Sequence, residues 1–185
     1  MDFKAKIEEH EAAVRAFKEE CVPVIAEIGK ICRTALKDGK KILLCGNGGS
    51  AADSQHIAAE LVGRFVKERC GLPSIALTTD TSILTAIGND YGYDEIFRRQ
   101  VEALGNSGDV IIGISTSGNS VNVVKAFEEA KKRDMHVIAF TGANESQMGE
   151  VADVALRVPS RVTARVQECH ILAGHLICEY VDEGY

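Results

Sequence analysis

The sequence predicts a doubly wound α/β fold, a parallel sheet with helices on both faces, preceded by an N-terminal helical arm. Two observations carry that expectation. Short apolar runs at 41–45, 74–78, 109–114, 136–141 and 153–158 read as strands, and stretches of helical period separate them. The turns after the first and third runs are rich in glycine and serine and lead directly into helical sequence.

Taken in order, residues 3–37 repeat their apolar positions at helical spacing, and Pro23 is expected to kink the run or divide it into two helices. No cluster of reactive side chains lies there, so the arm reads as an oligomer contact or a cap on the domain. Further helices are expected near 50–65, 82–87, 94–104, 120–132 and 162–181. No low-complexity linker interrupts the chain, and 185 residues suit one domain. The expectation is therefore a single domain over 1–185, with 1–37 as the arm and 38–185 as the α/β core.

The net charge of −6 argues against a general nucleic-acid surface, which needs a basic patch, so any anionic ligand needs a local site. No apolar run approaches the ~18 residues of a membrane span, and no membrane partner is expected. The opening Met1-Asp2-Phe3-Lys4-Ala5-Lys6 lacks the apolar core of a secretory signal, which points to the cytoplasm. Six cysteines are scattered with no C-x-x-C pair and read as reduced, mostly core residues.

In open parallel sheets ligands bind beyond the carboxyl ends of the strands, which directs attention to two loops. The first is Gly46-Asn47-Gly48-Gly49-Ser50-Ala51-Ala52-Asp53, whose glycines permit a tight turn that presents N–H groups at a helix start. Gly46-x-Gly48-x-x-Ala51 also fits a relaxed dinucleotide fingerprint, but the acidic residue expected ~20 positions later is missing on schedule, as Asp80 comes too late. No Lys-Ser or Lys-Thr follows the glycines, which excludes a phosphate-binding P-loop.

The second loop is Ser115-Thr116-Ser117-Gly118-Asn119-Ser120. One serine suffices to cap a helix, whereas several hydroxyls and free N–H groups around one point can neutralise a phosphate without a lysine. His56 and Glu60 stand four apart on one predicted helix face, an arrangement that suits a base with its partner, two metal ligands, or an ordinary surface pair. His175 lies in an apolar helix, where a satisfied core or interface histidine is the default; His10, His136 and His170 have no assigned role.

Together the two loops resemble the sugar isomerase (SIS) domain along nearly the whole chain. Within that superfamily the stretch CGNGGSAADSQHIAAELVGRF, Cys45 to Phe65, is similar to the phosphoheptose isomerase family, and Asn89-Asp90, Gln167 and His175 match it as well. The resemblance implies a homotetramer with active sites between subunits, isomerising the small-molecule sugar phosphate sedoheptulose 7-phosphate to D-glycero-D-manno-heptose 7-phosphate for cell-envelope polysaccharide. By motif, Ser115, Thr116, Ser117 and Ser120 would hold the phosphate. Asn47, Gly48, Gly49, Ser50, Glu60, Asn89, Asp90 and Gln167 would contact the sugar, and Glu60 and His175 would be the acid–base pair. Some members hold zinc at the positions of His56, Glu60, Gln167 and His175, which implies up to one zinc ion per subunit. Arg64 is a weaker correspondence.

Such an isomerisation needs a base for a carbon-bound proton and an acid for the carbonyl oxygen. A difficulty attends the ligand set. On a straight helix Gln167 and His175 are ~12 Å apart along the axis and turned by ~80°, so either the helix starts irregularly or more than one subunit contributes. The alternatives to a heptose phosphate isomerase are a regulatory SIS protein that binds sugar phosphate without turnover, like a replication-initiation factor of that superfamily, and an isomerase of another sugar phosphate.

Overall fold

The computed structural model describes residues 1–185. Helix α1 spans Phe3–Lys37 and is capped by Asp2, whose side chain accepts from the backbone N–H of Lys4 and Ala5. The break expected at Pro23 does not occur: one helix runs through it. Pro23 and Glu19, the residue whose carbonyl loses its helical partner, both face outward, where water can satisfy that carbonyl. Phe17, Cys21, Ile25, Ile28 and Cys32 form the buried stripe on the other side.

The core alternates strands and helices as the sequence predicts. Strands β1 (Ile42–Gly46), β2 (Ser74–Ala76), β3 (Val110–Ile114), β4 (His136–Thr141) and β5 (Val154–Arg157) are joined through α2 (Gly49–Val62), α3 (Thr81–Tyr91), α4 (Arg98–Leu104), α5 (Val121–Lys132) and α6 (Gln147–Val151). Helix α7 (Thr163–Asp182) closes the chain. The helix expected over 94–104 is a 3₁₀ turn, Tyr93–Glu95, followed by α4, and α6 has no counterpart in the sequence reading. Helix α3 extends to Tyr91, so Asn89 and Asp90 lie in its last turn.

All strands pair in parallel, in the order β2-β1-β3-β4-β5. Every residue of β1 and β3 is buried, because successive side chains feed cores on opposite faces. Ile42, Leu44, Val110, Ile112, Ile138 and Phe140 join α1, α2 and α7 on one face. Leu43, Cys45, Ile111, Val137 and Ala139 join α4 and α5 on the other. The order reverses between β1 and β3, so α2 and α5 leave on opposite faces and a crevice opens at the strand ends between them.

Five cysteines are buried, Cys70 is exposed, and none is paired. No helix is long and apolar enough to cross a membrane.

Candidate active site

Gly48 is the N-cap of α2, with φ +57° and no side-chain cap, and because the N–H groups of Ser50 and Ala51 already bond the Asn47 and Gly48 carbonyls, the N–H of Gly49 is the one that opens the helix toward a ligand. Only a glycine fits at Gly46, where a Cβ would come within 2.8 Å of the carbonyl oxygens of Ile114 and Ser50. Ser50 is buried, while Gly48 and Gly49 are exposed.

Across the crevice, Ser115 Oγ lies 2.9 Å from Ser120 Oγ and 3.3 Å from Ser117 Oγ. Ser120 occupies the N-cap of α5 yet its hydroxyl caps nothing. The backbone N–H of Gly118 donates to Ser115 Oγ (3.2 Å) and that of Asn119 to Ser117 Oγ (3.2 Å). Three hydroxyls thus cluster at the positive end of a 12-residue helix, with half-buried Thr116 beside them.

Helices α2 and α7 run side by side in the same direction. A Cβ at Gly174 would meet Ile57 Cδ1 at 2.6 Å, and one at Gly49 would meet Gln167 Nε2 at 2.6 Å. Glycine at 174 lets the helices approach and sets His175 opposite His56, while at Gly49 the near atom is the movable end of Gln167. His56 Nε2 is 3.0 Å from Glu60 Oε1 and 3.4 Å from His175 Nε2. Ligand atoms of all three residues lie within 4.8 Å of one another. Two nitrogens on one tetrahedral zinc ion would be about 3.3 Å apart at bond lengths of ~2.0–2.1 Å, so this donor set suits the ion.

Gln167 stands two turns earlier on α7, against Gly49, so its side chain is placed with the glycine loop. Helix α7 is regular from Thr163, which removes the irregular helix start as the way to join Gln167 to His175. Asn89 and Asp90 are exposed at the end of α3 and do not join either loop; Asn89 Nδ2 donates to Asp90 Oδ1 (2.8 Å). Arg64 makes only an exposed contact of 3.5 Å with Glu68.

The SIS domain family model matches residues 7–142. The phosphoheptose isomerase of Aquifex aeolicus is 60% identical over 168 residues, which cover 91% of this chain and 88% of its own length. The chain belongs to the phosphoheptose isomerase family of SIS-domain proteins. Solved phosphoheptose isomerases share the fold end to end. The structure from Neisseria gonorrhoeae has a TM-score of 0.92 at 48% identity, covering 97% of this chain and 96% of that one. The structure from Francisella tularensis has a TM-score of 0.91 at 40% identity, covering 99% and 100%.

In this member of the phosphoheptose isomerase family, several supporting residues escaped sequence reasoning. Asn122, in the first turn of α5, is buried and exchanges two hydrogen bonds with Asn47: Asn47 Nδ2 donates to Asn122 Oδ1, and Asn122 Nδ2 to Asn47 Oδ1, both at 2.9 Å. Tyr93 OH adds a third bond to Asn47 Oδ1 at 2.9 Å. The available signal was a polar residue on the otherwise apolar buried face formed by Val123, Val124 and Phe127. Phe65 stacks on His175, with ring centroids 5.5 Å apart and planes inclined by 20°.

Phe65 is held there by a buried ion pair. Arg69 Nε donates to Asp182 Oδ1 (2.6 Å), and its remaining N–H groups bond the carbonyls of Leu61, Glu60 and Cys70. Asp182 Oδ2 accepts from the N–H of Val66 and Lys67, which pins the segment after α2. Burial raises the Asp182 carboxyl, but the Arg69 bond and these backbone donors together hold it below its ordinary value. Burial also raises Asp53, whose Oδ2 is buried without a partner, while the neighbouring His56 opposes that shift.

Proposed function

We propose that the chain is an aldose–ketose isomerase that converts sedoheptulose 7-phosphate to D-glycero-D-manno-heptose 7-phosphate. The observation that carries this reading is the convergence of His56, Glu60 and His175, two turns along α2 from the glycine loop. A binding protein needs the two loops but not this ionisable group. Relatives that match most of the chain at more than half identity and bear the name phosphoheptose isomerase support the same reading.

The serine loop takes the substrate phosphate. Its hydroxyls and the first N–H groups of α5 offer neutral donors, and the helix dipole adds positive potential. The Gly46–Ser50 loop and Gln167 bind the hydroxyls of the open-chain sugar, and Asn89 and Asp90 would reach it across a subunit boundary. Glu60 removes a proton from C1, and protonated His175 delivers a proton to the C2 carbonyl oxygen, giving the 1,2-enediol. Return of a proton to C2 and loss of the O1 proton then leave the aldehyde at C1. No net proton is consumed. The stacked Phe65 keeps the His175 ring in place for this transfer.

His56, Glu60 and His175 would hold a zinc ion, and Gln167, which the family resemblance adds to the set, would have to come from a neighbouring subunit. Bound there, such an ion would polarise the carbonyl as a Lewis acid in place of the His175 proton, because a ring nitrogen that ligates zinc carries none, and it would make Glu60 a weaker base. We place the enzyme in the cytoplasm as a homotetramer that supplies heptose for cell-envelope polysaccharide. An apolar hollow lined by Val22, Ile25, Ala26, Leu176 and Tyr180 supports the assembly, because Leu176 follows His175 directly and a subunit seated there would approach the site.

The variant Glu60→Gln tests the assignment, since the amide keeps the shape and cannot act as a base. It should lower kcat by at least about 100-fold while inorganic phosphate still binds; wild-type turnover in the variant would refute the role of Glu60.

A further inference from the structure

We infer that Asn122 and Tyr93 are positioning residues that, through Asn47, fix the distance between the sugar loop and the phosphate loop and thereby set the sugar length the site accepts. The inference rests on the isomerase reading and adds to it a determinant of specificity.

A side-chain amide has two acceptor lone pairs and two N–H donors. Both acceptor positions of Asn47 Oδ1 are used, by Tyr93 OH and Asn122 Nδ2, and one N–H goes to Asn122 Oδ1. One N–H is left for a ligand. The Asn47 side chain is therefore chiefly a structural link, although its position in the glycine loop suggests a sugar contact.

What it links explains the consequence. Asn47 immediately precedes Gly48, the start of α2, and Asn122 is the second residue of α5, two positions after Ser120. These helices leave the sheet on opposite faces, and the strands beneath them are last paired at Gly46 and Ile114, so beyond that pair packing on neither face ties their first turns together. The reciprocal amide pair is a direct bond across it. Asn122 is 3% exposed, and pulling the loops apart would leave its amide buried without partners.

The 3₁₀ turn Tyr93–Glu95 reinforces the same span. Tyr93 reaches the glycine loop, while Glu95 accepts from Lys125 Nζ on α5 at 2.7 Å. One short turn is thus fastened to both sides. A small hollow of about 110 Å³ behind Asn47, lined in part by Thr78, Leu84, Tyr93 and Phe97, gives the glycine loop room to sink when the link is cut. A sugar phosphate held by its phosphate at the serine loop passes the glycine loop before its C1 and C2 reach Glu60 and His175 further along α2, so the distance this link maintains sets the chain length that fits.

The test uses Tyr93→Phe, an exposed change that deletes one donor, and Asn122→Leu, which removes the amide pair at similar volume. Three quantities are measured on each: KM for sedoheptulose 7-phosphate, the inhibition constant of fructose 6-phosphate, and the Kd of inorganic phosphate. The expected result is a KM raised about tenfold, the equivalent of one lost hydrogen bond, with the other two constants within about twofold of wild type. Should all three constants weaken together, or should none change in Tyr93→Phe, the link has no part in length selection. A wild-type protein inert on the heptulose phosphate would instead remove the isomerase reading, and this inference with it.

Discussion

His175 Nε2 faces His56 Nε2 at 3.4 Å, and Glu60 Oε1 lies 3.0 Å from that same His56 nitrogen, so two helices bring three groups of metal-ligating type within 4.8 Å of one another. Equilibrium dialysis of metal-stripped protein against zinc should return about one ion per chain. His56→Asn and His175→Asn should each weaken zinc binding by at least about tenfold, since even outer partners of metal ligands cost that much. Unchanged zinc affinity in both variants would show that these residues do not form a metal site.

The serine loop makes a prediction about affinity without stability. Ser120 does not cap α5 with its side chain, so Ser120→Ala should leave the thermal midpoint nearly unchanged. A hydrogen bond to a charged group contributes ~1.5–3 kcal/mol, so the same variant should weaken inorganic phosphate binding by roughly 10- to 100-fold. Titration calorimetry measures it. A stability loss with intact phosphate affinity would make the loop a polar turn and nothing more.

The buried pair of Arg69 and Asp182 predicts coupled effects on stability and on the site. Both side chains are almost completely buried. Arg69→Met leaves a buried carboxylate without its cation and should cost about 3–5 kcal/mol in denaturant unfolding. The double variant Arg69→Met/Asp182→Leu should regain much of that loss, because no charge is then stranded. Both forms free the segment that carries Phe65, so both should lower kcat even where stability returns. Full kcat in the double variant would separate Phe65 from the positioning of His175.

How far the sequence could reveal this site depended on where each signal lay. The two loops were legible because their chemistry is local: consecutive glycines at Gly46-x-Gly48-Gly49 and hydroxyls at Ser115, Ser117 and Ser120 announce themselves within six residues. His56 and Glu60 were legible as a helical pair, but the addition of His175 depends on Gly174, which lets α7 pack closely against Ile57 of α2. That relation spans more than a hundred residues and has no local mark. Asn122 and Tyr93 were missed for the same reason, as their partner is 75 and 46 positions away. Pro23 misled because the expected break ignores solvent, which satisfies the carbonyl the proline leaves free.

Acid stability should reflect His170. It is fully buried, its Nε2 lies 3.1 Å from the Thr141 carbonyl, and burial lowers its pKa to about 4. The folded state therefore keeps this ring neutral while the unfolded chain takes up a proton near pH ~6.5. Its contribution is complete above the unfolded value and is lost as the pH falls from about 6.5 towards 4. Asp182 adds a second loss at lower pH, because its lowered carboxyl stabilises the fold above ~3.8 and ceases to do so as it protonates. Urea unfolding followed from pH 7 to pH 4 should show falling stability in wild type and a flatter profile in His170→Gln. Equal slopes would assign the effect to other groups.

Movement of the carbonyl of a heptose phosphate through an enediol is tested most directly by proton NMR of the purified protein with sedoheptulose 7-phosphate in deuterated water. The expected product is an aldoheptose phosphate carrying solvent deuterium at C2, lost in Glu60→Gln; wild-type protein that forms no aldoheptose phosphate, with or without added zinc, would contradict the isomerase reading.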